Sequence, residues 1–191
     1  MNLYLRLFWR FLTARFKPRL SIRDEFRSRH RVWPNDLDLL GHMNNGRFFT
    51  ITDLVRIEML IRAGIWRELK NRKLHPVMAG ETVQFRRPLM PFQKYAIVTR
   101  TRGWNDKFLY VEHRFVSRRG LHALMLVKVR VIGRKGVRVS PVDVFRWVHD
   151  EPVEAQKVDE QIDQWDQSTR IHWCRDAGRP GCGPDGVARA A

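Results

Sequence analysis

The chain has 191 residues, 43% of them apolar and 11% aromatic, which is enough for one domain with a real core and tails. It carries 36 Lys and Arg against 20 Asp and Glu, a formal charge of +16, so its partners are sought among anions: nucleic acid, anionic lipid headgroups or phosphorylated small molecules. No run of about 18 apolar residues occurs, and the two cysteines, Cys174 and Cys182, have neither zinc spacing nor the makings of a disulfide framework; a membrane-spanning helix, a zinc module and a disulfide-stapled domain are therefore not expected.

The first element is a basic amphipathic helix over residues 2–17 within an N-terminal segment 1–20. Asn2, Arg6, Arg10, Thr13 and Lys17 share one face, and Leu3, Leu7, Phe8, Phe11, Leu12 and Phe16 cover the rest. Arg6, Arg10 and Arg15 interrupt the apolar run of roughly 7–15 residues that a secretory signal needs. The pattern suits a helix lying in a membrane interface. It suits equally an arm packed on its own domain or on a partner chain. Residues 1–32 hold nine Arg or Lys against two acids, so the basic end is a local feature as well as part of a global bias. Pro18 stops the helix.

Loose alternation over residues 22–32 predicts a first strand, ended by Trp33-Pro34. Then comes WPNDLDLLGHMNNGRF, residues 33–48, a crowd of polar groups around a glycine just before a greasy segment. Residues 45–63 read as a helix apolar on most sides, hence buried on most sides, with Gly64 as its stop and a short further turn over 65–69. From there the period becomes two. Strands are expected at 76–87, 93–104, 107–117 and 121–133, with turns at Asn105-Asp106 and Arg119-Gly120. The last of them is apolar on both faces early on and should be interior. Residues 150–167 read as a polar, acidic helix, and 168–191 as a disordered tail. The organisation expected is an N-terminal helix (1–20), one domain (21–140), an acidic helical extension (141–167) and the tail (168–191).

One strand, one buried helix and four long strands resemble the hotdog fold, an α+β architecture in which a long antiparallel sheet wraps one central helix. The motif sharpens the likeness. Asp36, Asp38, Gly41, His42, Asn44, Asn45, Phe48, Asp53 and Arg56 are similar to the 4-hydroxybenzoyl-CoA thioesterase branch of that superfamily. DLDLLGHMNN, together with GWNDKFLYVEHRFVS (103–117), is similar to its THEM6-like subgroup. The likeness covers roughly residues 22–135 and neither tail.

The resemblance implies an acyl-CoA thioesterase-like protein with Asp38 as base or nucleophile. It implies further that Asn45 begins the helix and offers its backbone N–H to the thioester oxygen. Asn stands where Tyr or His is frequent, which keeps the amide and removes any role for a ring. In physical terms a helix start presents unpaired amides and partial positive charge, an oxyanion site built from Asn45 and Gly46. His42 orients Asp38 or water, or acts as base itself. The rival reading makes Asp38 a turn residue, His42 a buried structural histidine and Asn44 and Asn45 helix caps. Asp36 is a turn or supporting acid. Asp53, on a buried helix, should pair with Arg56. An acyl slot is expected beside Phe48, Phe49 and the 76–87 strand, with Asn44 near the substrate.

No metal or redox cofactor is expected, coenzyme A being part of the substrate. A homodimer or homotetramer is implied by the fold. An anionic membrane surface is the candidate partner of residues 1–17, and the placement expected is cytoplasmic, peripheral at a membrane. A non-catalytic acyl-thioester binder at a membrane is the alternative function. Nucleic acid is disfavoured, since no known binding motif appears. HPVMAG (75–80) resembles the loop before the central helix of hotdog dehydratases, but strand character follows it, so dehydration is rejected.

Overall fold

A computed structural model describes residues 3–149 and 158–176. The chain divides into two units, residues 1–156 and 157–191. The first contains, in order, α1 (Leu3–Ala14), β1 (Phe26–Arg31), α2 (Asn45–Arg62), α3 (Ile65–Asn71), β2 (His75–Phe85), β3 (Lys94–Trp104), β4 (Leu109–Ser117), β5 (Gly120–Ile132), β6 (Arg138–Val139) and α4 (Pro141–His149). The five long strands form an antiparallel sheet in the order β1-β3-β4-β5-β2, and β6 adds to β5. This is the expected hotdog arrangement, with β5 in the interior of the sheet.

Local chemistry explains the boundaries. Asn105 Oδ1 accepts the N–H groups of Lys107 and Phe108, each at 2.9 Å, which closes the β3–β4 hairpin as an Asx turn. The first strand is shorter than its alternation suggested. Ser21 N–H donates to Asp24 Oδ2 at 2.8 Å, and Asp24 N–H returns to Ser21 O at 3.1 Å; this local turn withholds residues 21–24 from the ladder. Gly64, at φ 76°, lets the chain turn from α2 into α3 where a side chain would be strained.

The core lies between α2 and the sheet. Phe48, Ile51, Val55 and Met59 of α2 meet Phe115, Met125, Val127 and Val129 of β4 and β5. Val144 and Phe145 of α4 join that core, with Phe145 set edge-on to Trp104 at 4.9 Å. The pairing of Asp53 with Arg56 is present, but the exposures are reversed from expectation. Arg56 is the buried partner and Asp53 the exposed one, and Arg56 also reaches Glu81 on β2 at 3.1 Å. The cation is therefore flanked by two carboxylates, as a buried charge requires.

Helix α1 packs against α2 with its polar face inward. Arg6 donates through both guanidinium nitrogens to Asp36, at 3.2 and 2.8 Å. Arg10 and Lys17 donate to the two oxygens of Glu58, each at 2.6 Å, and Arg10 also bonds Ser28. Glu58 sits on α2 with 1% of its side chain exposed, so it needs such partners. Of the two bland expectations for this arm, packing on its own domain is what occurs. It does so mainly through its cations, with Phe11 of the apolar stripe set edge-on to Trp66 of α3.

In the second unit the described residues form α5 (Glu160–Asp176), supported by Gln164–Glu160 and Gln167–Asp163 bonds one turn apart. The tail expected to be disordered from residue 168 is therefore helical as far as Asp176. The expectation for 177–191, like the start of the acidic helix at 150–157, lies outside the described residues.

Two imidazoles, His113 buried and His30 half-buried, make stability depend on pH. Burial drives His113 down to about 3, with Arg56 adding to it. Burial, then Arg10, Arg6 and Lys17, bring His30 to about 3. Unfolded, each takes up a proton near 6.5, so the stability they allow is whole above that pH and is lost as the pH falls toward 3. One unit below 6.5 the loss is about 1.4 kcal/mol for each histidine. Glu81, whose carboxyl burial raises, opposes them with a single proton. Urea unfolding at pH 7.5 and pH 5.5 should show a drop of between about 2 and 3 kcal/mol at the lower pH; equal stabilities would contradict histidines held neutral in the fold.

Candidate active site

The segment from β1 to α2 folds back on itself. Pro34–Asp36 makes one 3₁₀ turn. Asp38 N–H donates to His42 O at 2.9 Å, Gly41 N–H to Asp38 O at 3.1 Å, and Leu37 and Met43 face each other as an antiparallel bridge. Gly41 has φ 78°, the left-handed conformation that turns the loop. At the tip stand Leu39 and Leu40, both exposed.

Asp36 closes the base of this loop. Its side chain is 1% exposed. Oδ2 accepts Trp33 N–H at 3.0 Å, both oxygens receive Arg6, Arg47 Nε stands 3.5 Å away, and the backbone oxygen accepts Asn44 N–H at 2.8 Å. A residue read from sequence as a supporting acid thus ties α1, β1 and the start of α2 together. Its partner Arg6 lies 30 residues away, which no local pattern reveals.

Asp38 and His42 form a pair across the loop. His42 Nδ1 lies 3.1 Å from Asp38 Oδ2, both side chains being partly exposed. Asp38 Oδ1 accepts the amides of Leu40 at 2.9 Å and His42 at 3.4 Å. With Nδ1 directed at the carboxylate, His42 Nε2 is the nitrogen left for other work.

Two residues on, α2 begins. Asn44 is the N-cap, its Oδ1 accepting Gly46 N–H at 2.8 Å. Arg47 N–H goes to Asn44 O at 2.9 Å. Of the two amides expected to form an oxyanion site, Gly46's is thus held by the cap, and Asn45's has no acceptor among the described residues. A Cβ at position 46 would stand 3.1 Å from Asn44 Oδ1, which explains a glycine there.

Phe48 packs into the core against Phe85 at 5.0 Å and Phe115 at 4.7 Å, and Phe49 is half-buried beside it. A cavity of about 890 Å³ opens further along, between the second half of α2, α3 and the sheet; Ile57, Leu60, Trp66, Leu69 and Met78 are among its apolar walls. Its first α2 residue, Asp53, lies eight residues past Asn45, about 12 Å along the helix axis. On the other side of the α2 start, Met43 N–H donates to Leu89 O at 2.8 Å, which brings the 86–89 segment alongside. His122 holds that segment: its ring bonds Ser117 at 2.7 Å and Pro88 O at 3.0 Å, and its backbone oxygen accepts the amides of Arg86 and Arg87. Sequence reasoning missed His122, because its partners come from two other stretches of chain.

The site lies where a long antiparallel sheet wraps one central helix, which is the hotdog arrangement. The chain matches the Thioesterase-like superfamily over residues 32–175 and belongs to it. It is 34% identical to Protein THEM6 of Xenopus laevis over 136 residues, covering 70% of this chain and 63% of that protein. To a probable thioesterase of Saccharomyces cerevisiae it is 31% identical over 120 residues, covering 60% of this chain and 50% of that one. The chain thus spans less than two thirds of these relatives' length. Among solved structures it is similar to a gentisyl-coenzyme A thioesterase, with a TM-score of 0.58 at 23% identity, covering 63% of this chain and 99% of that one. A Staphylococcus aureus protein in complex with CoA gives 0.59 at 15%, covering 75% and 94%.

The cap supplies a test of local structure. Asn44→Ala should cost about 1 kcal/mol in thermal or urea unfolding, while Asn44→Asp, which keeps the acceptor, should cost less than half of that. Equal losses would show that Asn44 does not cap through its side-chain oxygen.

Proposed function

We propose that this protein hydrolyses an acyl-CoA thioester to the free acid and the CoA thiol. The observation that carries the reading is the Asp38–His42 pair, with its Nδ1–carboxylate contact of 3.1 Å, two residues before a helix start whose Asn45 amide is open. The thioester oxygen is taken up by Asn45 N–H, which stabilises the charge that develops on it. Asp38 orients His42, whose Nε2 removes a proton from water as the oxygen attacks the carbonyl carbon. The tetrahedral intermediate collapses, the C–S bond breaks, and the thiolate leaves with that proton. Asp38 as base or nucleophile in its own right is the competing role.

The binding groups follow from the same neighbourhood. Arg86 and Arg118 are exposed, and the 86–89 segment lies beside the α2 start, so these two cations suit the CoA phosphates. The acyl chain runs along α2 toward the cavity. Among the described residues β2 is an edge strand with one side unpaired. Pairing with β2 of a second copy would continue the sheet and cover the cavity's flank, giving the homodimer, or a homotetramer of two such pairs.

A second reading has one observation in its favour. Both oxygens of Asp38 already accept hydrogen bonds, which suits a protein that binds an acyl thioester at a membrane surface without hydrolysing it.

Thiol release from a panel of acyl-CoA chain lengths separates these. Asp38→Asn and His42→Gln should each lower kcat by about 10²–10⁴ with little change in KM. Full activity in His42→Gln with loss in Asp38→Asn would make the carboxylate itself the base or nucleophile; no release of thiol by the wild type would leave only the binding reading. In a separate comparison, Arg86→Ser with Arg118→Ser should raise KM for acyl-CoA by about tenfold and leave KM for acyl-pantetheine, which lacks the nucleotide phosphates, unchanged. A rise with both substrates would remove the phosphate contact.

A further inference from the structure

Helix α1 is inside out. Its cations point into the protein, so its apolar stripe points away. Tyr4, Leu5, Phe8, Trp9, Leu12 and Phe16 recur along one face, between 45% (Leu12) and 85% (Phe16) exposed. A monomer rarely leaves a row of this size in water. The arrangement is held in place rather than incidental, because Arg6, Arg10 and Lys17 are spent on the buried carboxylates of Asp36 and Glu58.

Two further features show what covers the row. A groove of about 590 Å³ runs between α1 and β1, lined by Trp9 of the apolar row and by Lys17, Arg27 and Arg29, with Glu58 as its one acid. Arg15, Arg19, Arg23 and Arg31, from the same stretch of chain, are exposed as well. A symmetric pairing of two copies through this face would set like charges opposite each other. An anionic lipid surface satisfies both halves: acyl chains for the aromatics, phosphates for the arginines. The second feature is the Leu39–Leu40 tip, next in sequence to Asp38. Arg6 joins α1 directly to Asp36 at the base of that same loop.

We infer that α1 docks this protein on an anionic lipid surface and that the Leu39–Leu40 tip takes its amphiphilic, long-chain thioester substrate from that surface. The inference about substrate rests on the thioesterase reading; the docking does not. Residues such as Phe8, Trp9 and Leu12 enter the acyl region, the groove between α1 and β1 holds headgroup phosphates, and the Arg6–Asp36 bond keeps the catalytic loop in register with the surface.

Sedimentation with phosphatidylcholine vesicles, alone or with 30% phosphatidylglycerol, tests docking. The wild type should pellet at least tenfold better with the anionic vesicles, and 0.5 M salt should weaken this. Phe8→Ser with Trp9→Ser and Leu12→Ser changes only outward side chains and should lose the pelleting. Arg27→Ser with Arg29→Ser should lose the preference for the anionic lipid. Anionic vesicles should stimulate palmitoyl-CoA hydrolysis several-fold in the wild type and leave butyryl-CoA hydrolysis unchanged. Leu39→Ser with Leu40→Ser should pellet normally and lose that stimulation. Undiminished pelleting of the triple variant, or its conversion of an oligomer to a monomer without effect on vesicles, overturns lipid docking. Stimulation that persists in the Leu39–Leu40 variant overturns substrate capture by the tip. Should no thioester be cleaved by any form, the thioesterase reading and the capture fall together, while pelleting still decides the docking.

Discussion

A helix wrapped in a sheet has to begin somewhere, and the amides of its first turn have no partners within it. In this protein α2 resolves that constraint unevenly. Asn44 turns its side chain back onto Gly46, Arg47 bonds Asn44 O, and the Asn45 amide is left over. An unpaired amide at the positive end of a buried helix costs stability where nothing answers it, and answers negative charge where something brings it. The site exists because the loop before α2 delivers a carboxylate and an imidazole to this point.

That delivery depends on Asp36. Its buried carboxylate receives Arg6 and Trp33 N–H, with Arg47 close by, and its carbonyl receives Asn44 N–H. The seven residues from Leu37 to Met43 then have both ends fixed, so Asp38 and His42 meet across the loop without help from a distant element. The same clamp recruits α1, which also meets the domain through Arg10 on Glu58 and Ser28 and through Phe11 on Trp66. The 37–43 loop, the helix start and the N-terminal arm are therefore joined through one buried carboxylate.

Much of this was legible in the sequence. The period change at residue 76, the apolar girth of 45–63 and the turn residues at 105–106 led to the sheet and its central helix, because each is a local preference that the fold agrees with. The motif led to Asp38, His42 and the start of α2, and Asn44 as a cap followed from its residue type. What stayed hidden depends on distance along the chain. Nothing near Asp36 announces Arg6, nothing near Ser117 announces Pro88 as the partner of His122, and the reversed exposures of Asp53 and Arg56 follow from where Glu81 arrives on β2. Amphipathicity showed that α1 has two faces and could not say which one turns inward. The answer came from two acids, Asp36 and Glu58, that sit under it and had to be neutralised. For the same reason Phe48, expected from the sequence to line an acyl slot, is found packed in the core against Phe85 and Phe115.

The central claim is that the Asn45 amide receives the substrate's carbonyl oxygen beside the Asp38–His42 pair. Backbone amide NMR of the protein, titrated with a non-hydrolysable acyl-CoA analogue in which a methylene replaces the thioester sulfur, tests it directly. The account predicts that the Asn45 amide proton moves downfield on binding, by more than any other amide of α2, with His42 responding in the same titration. Saturable binding that shifts other resonances and leaves Asn45 where it was would contradict it.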